Sequence, residues 1–317
     1  MRLLRIVPDG TRFKIVRFRR FSYPFSAAYS LLVLFLFLTV GLNFGIDFRG
    51  GTLIEMQAKS GKPEIGQVRQ TANSLGFGEA EVQEFGSGGD ISMRFALQPG
   101  GEVAQQQVVV KARDAFASTF DFRRVETVGP RVSGELVQAG TLGVVLAIVG
   151  VLIYLWFRFE MQLAIGAILG TLHDIVLTMG FFLITQLEFN LTSIAAILTI
   201  VGYSLNETVV VFDRTRELLR RYKTMPIPDL LDLSVNSTLS RTAITSTTTV
   251  LALIALVLFG GTAIEGFALV MLFGVVVCTY SAMFISTPVL LYLDVRAGVS
   301  RSEGTEEKLP AAAKAKS

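Results

Sequence analysis

Six stretches of this 317-residue chain are long and apolar enough to cross a lipid bilayer, and they constrain its fold more than any other feature. A membrane-spanning helix needs roughly 20 mostly apolar residues, and all its backbone polar groups must be satisfied within the segment. The composition agrees, since 17% of the residues are charged, against about 25% in a typical soluble protein. We therefore predict an α-helical integral membrane protein with transmembrane helices at about 27–45, 138–157, 161–184, 190–212, 242–260 and 266–293.

Lysine and arginine residues in the short connections predict how these spans are oriented, because cytoplasmic loops of membrane proteins carry an excess of both. Basic residues precede span 1, separate spans 2 and 3, fill the connection between spans 4 and 5, and follow span 6: Arg2, Arg5, Arg12, Lys14, Arg17, Arg19, Arg20, Arg158, Arg214, Arg216, Arg220, Arg221, Lys223, Arg296, Arg301, Lys308, Lys314 and Lys316. The connections near residues 186–188 and 260–265 contain neither. This alternation predicts that both termini are cytoplasmic.

The orientation divides the chain into successive segments. They are a basic cytoplasmic N-terminus (1–26), span 1 (27–45), an extracytoplasmic domain (46–136), spans 2–6 (137–295) with a cytoplasmic loop (214–241), and a disordered cytoplasmic tail (296–317). The leucines of the loop, around Pro226 and Pro228, favour an amphipathic helix on the membrane surface. A cleaved signal peptide is the alternative for the first apolar stretch, but no small-x-small cleavage site follows it. We expect this stretch to be retained as a span.

Residues 46–136 form the one long polar stretch, with ten Lys or Arg and twelve Asp or Glu residues, a balance typical of a soluble surface. The pattern predicts the order strand, helix, strand, strand, helix, strand, over Phe48–Met56, Pro63–Gly76, Glu81–Phe85, Ile91–Leu97, Val103–Phe116 and Phe122–Val128. This order is the α+β ferredoxin-like arrangement. Nothing in it resembles a catalytic set, so we interpret it as a binding or mechanical module, or as a cap on the membrane part.

Two ionisable residues, His173 and Asp174, lie near the middle of span 3. An ionisable group at this depth costs roughly 3 kcal/mol or more, so it should face the bundle interior and usually serves a function. Adjacent helical residues point about 100° apart, so two neighbouring helices or a water-filled cavity should receive these side chains. Gly166 and Gly170 form a small-xxx-small pattern that favours close helix approach.

Span 4 carries Asn206 and Glu207, and span 5 begins with Arg241. The predicted topology puts Glu207 and Arg241 at similar depth, where they could pair. A low dielectric favours a neutral carboxylic acid and a nearby arginine favours the carboxylate, so a group balanced between the two can load and release a proton. We hypothesise a proton pathway through Glu207, Arg241, Asp174, His173 and Asn206. The alternative is that these residues only hold the helices together through hydrogen bonds and one ion pair.

Other classes of protein fit the sequence poorly. The single histidine excludes an H-E-x-x-H metalloprotease site and most multi-histidine metal sites. Neither Gly-x-Ser-x-Gly nor a P-loop pattern occurs, which argues against a serine hydrolase and against direct use of ATP. Cys278 is the one cysteine, so no internal disulfide is possible. The basic residues lie beside apolar stretches, so we expect no nucleic-acid partner and, apart from the proton gradient, no cofactor.

Five strings of residues together resemble the SecD/SecF family of protein-export membrane subunits, part of the RND superfamily. They are GIDFRGG (45–51), VGPRVSGEL (128–136), HD (173–174), GYSLNETVVVFDRTRE (202–217) and SRTAITSTTT (240–249). The strings occur in the family's order over nearly the whole chain. The extra outer domain of SecD is missing, so the resemblance is to the SecF branch of the family.

The resemblance implies an accessory subunit of the Sec translocase in the bacterial inner membrane, one that uses the proton gradient to promote late-stage protein export. The implied partners are SecD, the SecYEG channel, YajC, YidC, the exporting polypeptide and membrane lipids. An RND-like exporter of a small molecule or lipid is the alternative function, and a purely structural scaffold is the third.

The resemblance also implies roles for individual residues. The family's transmembrane acid falls on Glu207, where aspartate is usual, and its arginine falls on Arg241. The family's two outer signatures fall on Gly45, Asp47, Arg49, Gly50 and Gly51, and on Gly129, Pro130 and Glu135. We expect Asp47 and Arg49 to brace the outer domain or to act as interfacial anchors.

Overall fold

The computed structural model describes residues 11–85 and 89–296. The elements are, in chain order, α1 (Arg19–Thr39), α2 (Ile46–Arg49), β1 (Gly51–Ala58), α3 (Ile65–Ser74), β2 (Glu81–Phe85), β3 (Asp90–Phe95), α4 (Gly101–Phe116), β4 (Phe120–Val128), α5 (Pro130–Arg158), α6 (Met161–Thr185), α7 (Leu191–Arg221), α8 (Ile227–Phe259) and α9 (Thr262–Ser281). A π-helical segment, Ala282–Ser286, continues α9. The described residues form two compact units. The helical unit contains residues 11–43, 144–187 and 192–296, and the sheet unit contains residues 44–85, 89–143 and 188–191.

Within the described residues, six helices are long and apolar enough to cross a membrane, as the sequence predicts. They are Ile15–Thr39, Pro130–Arg158, Met161–Thr185, Leu191–Arg221, Ile227–Phe259 and Ile264–Tyr292. The first helix begins and ends earlier than the predicted 27–45. It stops at Thr39 because Gly41 adopts φ +74°, a left-handed conformation that favours glycine and ends helices.

The connection at 214–241 is mostly helical, but its helices continue α7 and α8, which corrects the expectation of a separate surface helix. Helix α7 continues to Arg221 and α8 begins at Ile227, so only residues 222–226 lie between the two helices. The leucines of this region are buried against each other rather than lying on a membrane surface: Leu218, Leu219, Leu230 and Leu231. Burial of these apolar side chains stabilises both helical extensions.

The basic connections of the helical unit contact one another at one end of the unit. The backbone amide of Val16 donates to Asp232 Oδ1 at 2.8 Å, close to the start of α8. Arg158, at the end of α5, forms an ion pair with Asp213 on α7. Arg296 was predicted to begin the disordered tail, but it donates hydrogen bonds to backbone carbonyls at 222–225. The rest of the predicted tail, 297–317, lies outside the described residues.

The sheet unit contains a four-stranded antiparallel sheet in the order β2-β3-β1-β4. Its six main elements follow the predicted order, and β1 begins at Gly51 rather than Phe48 because residues 46–49 form α2. Both helices contribute to one apolar core with the strands, formed by Ile54, Met56, Val68, Ala72, Ala80, Val82, Ile91, Met93, Phe95, Val108, Ala112, Phe116 and Phe120. Part of the predicted turn at 86–90 lies outside the described residues.

Candidate functional site

Asp174 lies in the interior of the helical unit, with 1% of its surface exposed. The hydroxyl of Ser204, on α7, donates to Asp174 Oδ2 at 2.6 Å. The second oxygen, Oδ1, lies 3.1 Å from His173 Nδ1. A distance of 2.5–2.7 Å between a hydroxyl and a carboxylate is typical of a charge-assisted hydrogen bond. Asp174 is therefore a buried acceptor whose partners can also exchange protons.

His173 continues this set of contacts toward α1. Its Nε2 lies 3.0 Å from the hydroxyl of Ser26, which lies 3.3 Å from the hydroxyl of Tyr280 on α9. Tyr280 in turn donates to the backbone carbonyl of Ser22 at 3.4 Å. The expectation that His173 and Asp174 reach different helices is confirmed. We call the connected side chains of Ser26, His173, Asp174, Ser204 and Tyr280 the polar chain.

Glu207 is the second buried carboxyl group of the helical unit, with 2% of its surface exposed. It interacts with the hydroxyls of Thr242 on α8 and Tyr203 on α7, and lies within electrostatic reach of Arg241. In the part of the chain that the structure describes (11–85 and 89–296), no direct ion pair joins Glu207 to Arg241. The Arg241 side chain is exposed. The structure thus surrounds Glu207 with two hydroxyl partners and with one positive charge that does not contact it directly.

The hydroxyl of Tyr203 extends this second centre through other hydroxyl groups. It donates to Ser246 Oγ at 3.3 Å, and Ser246 lies 2.8 Å from Thr279 Oγ1. Cys278, beside Thr279 on α9, is fully buried and interacts with Asp174 and Ser204. It also lies within electrostatic reach of Glu207. The two carboxyl centres therefore share a neighbour on α9.

A close approach of helices lies beside Asp174. A Cβ atom added at Gly170 would overlap Ser286 Oγ, which belongs to the π-helical segment. One turn earlier, a Cβ at Gly166 would press on Leu290. The predicted small-xxx-small contact is therefore present. Short π-helical segments within helices are frequent at functional sites.

Asn206 lies apart from the buried carboxyl groups. It is exposed and lines an open groove between α5 and α7. The lining residues are Ala147, Gly150, Val151, Tyr154, Gly202, Leu205, Asn206 and Val209. The structure thus separates Asn206 from the other residues of the hypothesised proton pathway.

In the sheet unit, the two glycines that end the first outer signature are required by the backbone. Gly50 and Gly51 have φ of +70° and +124°, where L residues with side chains are strained. A Cβ at Gly51 would also overlap the carbonyl oxygen of Phe95 on the neighbouring strand. These glycines let the chain turn from α2 into β1.

The beginning of the same signature contacts residues 188–191. The amide of Gly45 donates to the carbonyl of Phe189 at 2.8 Å, and the amide of Leu191 donates to Asp47 Oδ2 at 2.9 Å. Arg49 is less involved, since its 3.8 Å ion pair with Glu81 is exposed on both sides. Exposed pairs of this kind stabilise little.

The second outer signature marks the start of α5. Pro130 is its first residue, where the missing amide hydrogen costs nothing. The carbonyl of Gly129 accepts from the amide of Ser133 at 3.0 Å. Glu135 forms a pair with Arg131 at 3.1 Å, and the two side chains are 66% and 91% exposed. These contacts support a helix start and do not connect the signature to the buried carboxyl groups.

Sequence reasoning missed several residues of these sites. Ser26 belongs to a stripe with Ser22 and Tyr29 at helical spacing in an apolar span, a signal that could have identified it. Cys278 and Tyr280 lie with Thr279 and Ser281 in one short run inside an apolar stretch, a signal that the sequence reasoning did not use. Across residues 11–85 and 89–296, no group of three or more His, Cys, Asp or Glu residues could hold a metal ion.

Comparison with known families gives two matches. The family described as "Protein export membrane protein SecD/SecF, C-terminal" matches residues 108–296. The family described as "SecD/SecF GG Motif" matches residues 35–62. Together they include the first outer signature and all residues of the polar chain except Ser26.

Among individual proteins, the chain is 44% identical over 295 residues to the protein translocase subunit SecDF of Brucella abortus, covering 93% of this chain and 39% of that protein. It is 42% identical over 292 residues to the protein translocase subunit SecF of Rickettsia bellii, covering 90% of this chain and 95% of that one. The crystal structure of SecDF from Thermus thermophilus, described as a translocon-associated membrane protein, is similar with a TM-score of 0.81 and 30% identity, over 90% of this chain and 39% of that one.

Proposed function

The chain belongs to the SecD/SecF family of protein-export membrane proteins, and from this membership we propose that it is a SecF-type accessory subunit of the Sec translocase. In this role it uses the proton gradient to promote late-stage protein export across the bacterial inner membrane. The SecF relative of nearly equal length supports this assignment. The chain spans 39% of the SecDF relative, so it supplies one part of that activity.

The burial of Asp174 and Glu207 in helices long enough to span a membrane carries the proton proposal. A charged carboxylate at the centre of such a helix costs about 2.5–3.5 kcal/mol on insertion scales. One charge moved through 100 mV gains about 2.3 kcal/mol, enough to shift an equilibrium roughly fifty-fold. The two magnitudes are similar, so the gradient can drive a change in protonation that burial alone would oppose.

The basic end of the helical unit supports the proposed orientation. The N-terminal segment, the α5–α6 connection and the α7–α8 connection meet there, and the excess of arginine and lysine assigns that end to the cytoplasm. By alternation along the chain, residues 46–129 are then extracytoplasmic. Their element order and strand order fit a ferredoxin-like domain.

The groove between α5 and α7 is the proposed contact with a SecD-type partner. The apolar window of α5 contains no buried residue in this chain alone, and a Cβ at Gly150 or Gly202 meets no atom within 4 Å. Small residues in an exposed membrane helix favour close packing of another helix. Contacts with SecYEG, YajC, YidC and the exporting polypeptide are proposed from the family resemblance alone.

Export of a reporter protein into membrane vesicles, with and without an imposed proton gradient, tests the proton role. Glu207→Gln keeps the size and hydrogen bonding of the side chain but cannot carry a proton. We expect the gradient-dependent part of export to fall at least ten-fold, and Glu102→Gln, on the exposed face of α4, to leave it unchanged. If Glu207→Gln responds to the gradient as the wild type does, the proposed proton role of Glu207 is wrong.

Copurification with a SecD-type partner tests whether the groove between α5 and α7 contacts that partner. Gly202→Leu fills the open space beside Asn206 and should reduce recovery of the partner several-fold. Gly266→Leu, on α9 and also without an atom within 4 Å of its Cβ position, is the matched control. Equal recovery with both variants would place the contact elsewhere. If the purified chain alone exported a small molecule, the RND-like alternative would replace this proposal.

A further inference from the structure

Residues 188–191 connect α6 to α7, yet they belong to the sheet unit. Phe44 forms a parallel β-bridge with Phe189, and the amide of Gly45 donates to the Phe189 carbonyl at 2.8 Å. The aromatic rings of Phe44, Phe48 and Phe189 lie within 6 Å of one another, centre to centre. Gly45 is glycine for a local reason, because a Cβ there would overlap the side chain of Glu188.

An arginine of the sheet fixes the same connection from its other side. Arg94 Nη2 lies 3.2 Å from Glu188 Oε2, and Arg94 Nη1 donates to the carbonyl of Phe44 at 3.2 Å. The Arg94 side chain is only 10% exposed, while that of Glu188 is 24% exposed. Ion pairs that are shielded from water and supported by further hydrogen bonds are more costly to break than exposed pairs. The connection is thus held by β3 as well as by the signature.

Asp47 binds the first residue of α7. The first backbone amides of a helix have no partner inside the helix, and negative charge near them is stabilising. Helix α7 has no acidic residue in its first turn, and Asp47 Oδ2 accepts from the amide of Leu191 at 2.9 Å. A residue distant in sequence therefore supplies the negative charge that the first turn of α7 lacks.

The helix that begins at Leu191 also carries Glu207. The two residues are 16 positions apart, which corresponds to about 24 Å of continuous helix. A helix transmits a shift or rotation of its first turn along its length, because its backbone hydrogen bonds resist local change. The first turn of α7 and Glu207 therefore belong to one continuous helix.

We propose that Asp47, Arg94 and Glu188 are positioning residues that hold the first turn of α7, the helix that carries Glu207, so that gradient-dependent export depends on them. This inference rests on the proposed proton-driven function. It assigns to the GIDFRGG segment a role in positioning α7, beyond shaping the turn into β1. The alternative for Asp47, an interfacial anchor, predicts no dependence on the start of α7.

The test uses the full chain assembled with its SecD-type partner in vesicles. Asp47→Ala removes the acceptor for the Leu191 amide, and Asp47→Asn keeps an acceptor oxygen. For Asp47→Ala we expect amide exchange at Leu191 to rise, and gradient-dependent export to fall, each about five-fold, the factor that corresponds to the loss of one helix cap. Asp47→Asn should retain most of both, and Asp114→Ala, at an exposed position on α4, should change neither.

Combination with Glu207→Gln distinguishes coupling from simple support of the fold. If Asp47 acts through Glu207, adding Asp47→Ala to Glu207→Gln should cause no further loss of export. A further loss, or an equal loss of gradient-independent export, overturns the inference, and so does normal export despite faster exchange at Leu191. If Asp47→Ala does not assemble, Glu188→Gln, which removes the ion pair with Arg94 at constant size, is judged by the same outcomes. Wild-type behaviour of Glu207→Gln contradicts the proposed function itself, whatever Asp47→Ala does.

Discussion

The sheet unit and the helical unit bury their carboxyl groups beside different partners. In the sheet unit, Glu55 is 8% exposed and lies 3.6 Å from Arg124, which also pairs with Glu126 at 2.7 Å. In the helical unit, Asp174 and Glu207 are more deeply buried, and their nearest partners are hydroxyl groups and one histidine. The charge of Glu55 is therefore matched locally, whereas the other two carboxyl groups have no guanidinium in direct contact within the described chain.

The difference separates a carboxyl group paired with a guanidinium from carboxyl groups with hydroxyl partners. Burial by itself lowers the pKa of Arg124, but its hydrogen bond to Glu126 and the charges of Glu126 and Glu55 outweigh burial and raise the pKa above the ordinary value. That guanidinium therefore stays charged. Hydroxyl partners can donate to a carboxylate and can also accept from a protonated acid, so they tolerate both states. In the sheet unit the buried carboxyl group is matched by a guanidinium, whereas in the helical unit hydroxyl groups are among the partners of the buried carboxyl groups.

The largest loss of stability should follow truncation of the apolar core of the sheet unit. Phe95→Ala removes a fully buried ring and should lower the free energy of unfolding of this unit by about 3–5 kcal/mol. Hydrogen exchange of the β3 amides in the full chain measures this loss. Val103→Ala, at a position that is 68% exposed, should change it by less than about 0.5 kcal/mol. Similar losses from both variants would mean that this core does not hold the unit together.

A smaller loss should follow Gly51→Ala. A φ of +124° and the overlap with the Phe95 carbonyl together should cost about 1–3 kcal/mol, again measured from exchange in the sheet. Gly66→Ala is a control that should change the free energy of unfolding in the opposite direction. Gly66 lies in α3 with open space around it, so alanine should stabilise the unit by about 0.5–1 kcal/mol. A neutral Gly51→Ala would show that the signature glycine serves something other than the backbone turn.

Asp174→Asn should affect stability less but export more. The amide oxygen can still accept from Ser204, so the free energy of unfolding should change by no more than about 1 kcal/mol. Because an amide cannot take up a proton, gradient-dependent export should fall about ten-fold. Thermal unfolding and vesicle export together check the prediction. A loss of 3–5 kcal/mol, the range for breaking a buried ion pair, would instead make His173 and Asp174 a structural pair like the one in the sheet unit.

The smallest effect is expected from Glu135→Gln. The pair with Arg131 is exposed and joins residues i and i+4 of one helix, so its loss should cost about 0.3 kcal/mol. Unfolding and export should therefore both stay close to wild type. Glu135 nevertheless lies in the second outer signature. A clear export defect without a stability defect would assign the signature to a partner contact and separate it from the structural interactions of the sheet unit.

The local pattern of the sequence was enough to predict the elements of both units. Strand β2 begins and ends where predicted, and the six apolar helices lie near their expected positions, because hydrophobic periodicity depends only on residues near in sequence. The helical extensions beyond residues 214 and before 241 were missed for the opposite reason. Their polar appearance hides Leu218 and Leu231, which become buried only when α7 and α8 meet.

The candidate site shows the same division. Asp174 and Glu207 stand out in the sequence because carboxyl groups are costly in apolar helices, and the glycines of GIDFRGG stand out as turn residues. Their partners depend on helix rotation and strand register, which no local pattern encodes. The sequence suggested that Glu207 could pair directly with Arg241, but in the described part of the chain no direct ion pair joins them, and Glu207 interacts with the hydroxyl of Thr242.

By itself, the sequence determined the membrane spans, the order of elements in the sheet unit and the two costly carboxyl groups, since each follows from hydrophobicity or backbone conformation over a few residues. Only the tertiary structure decided that Ser26 and Tyr280 complete the polar chain. It alone decided that Asp47 caps α7, 144 residues further along the chain. Such contacts join residues that are distant in sequence, and packing brings them within hydrogen-bonding distance.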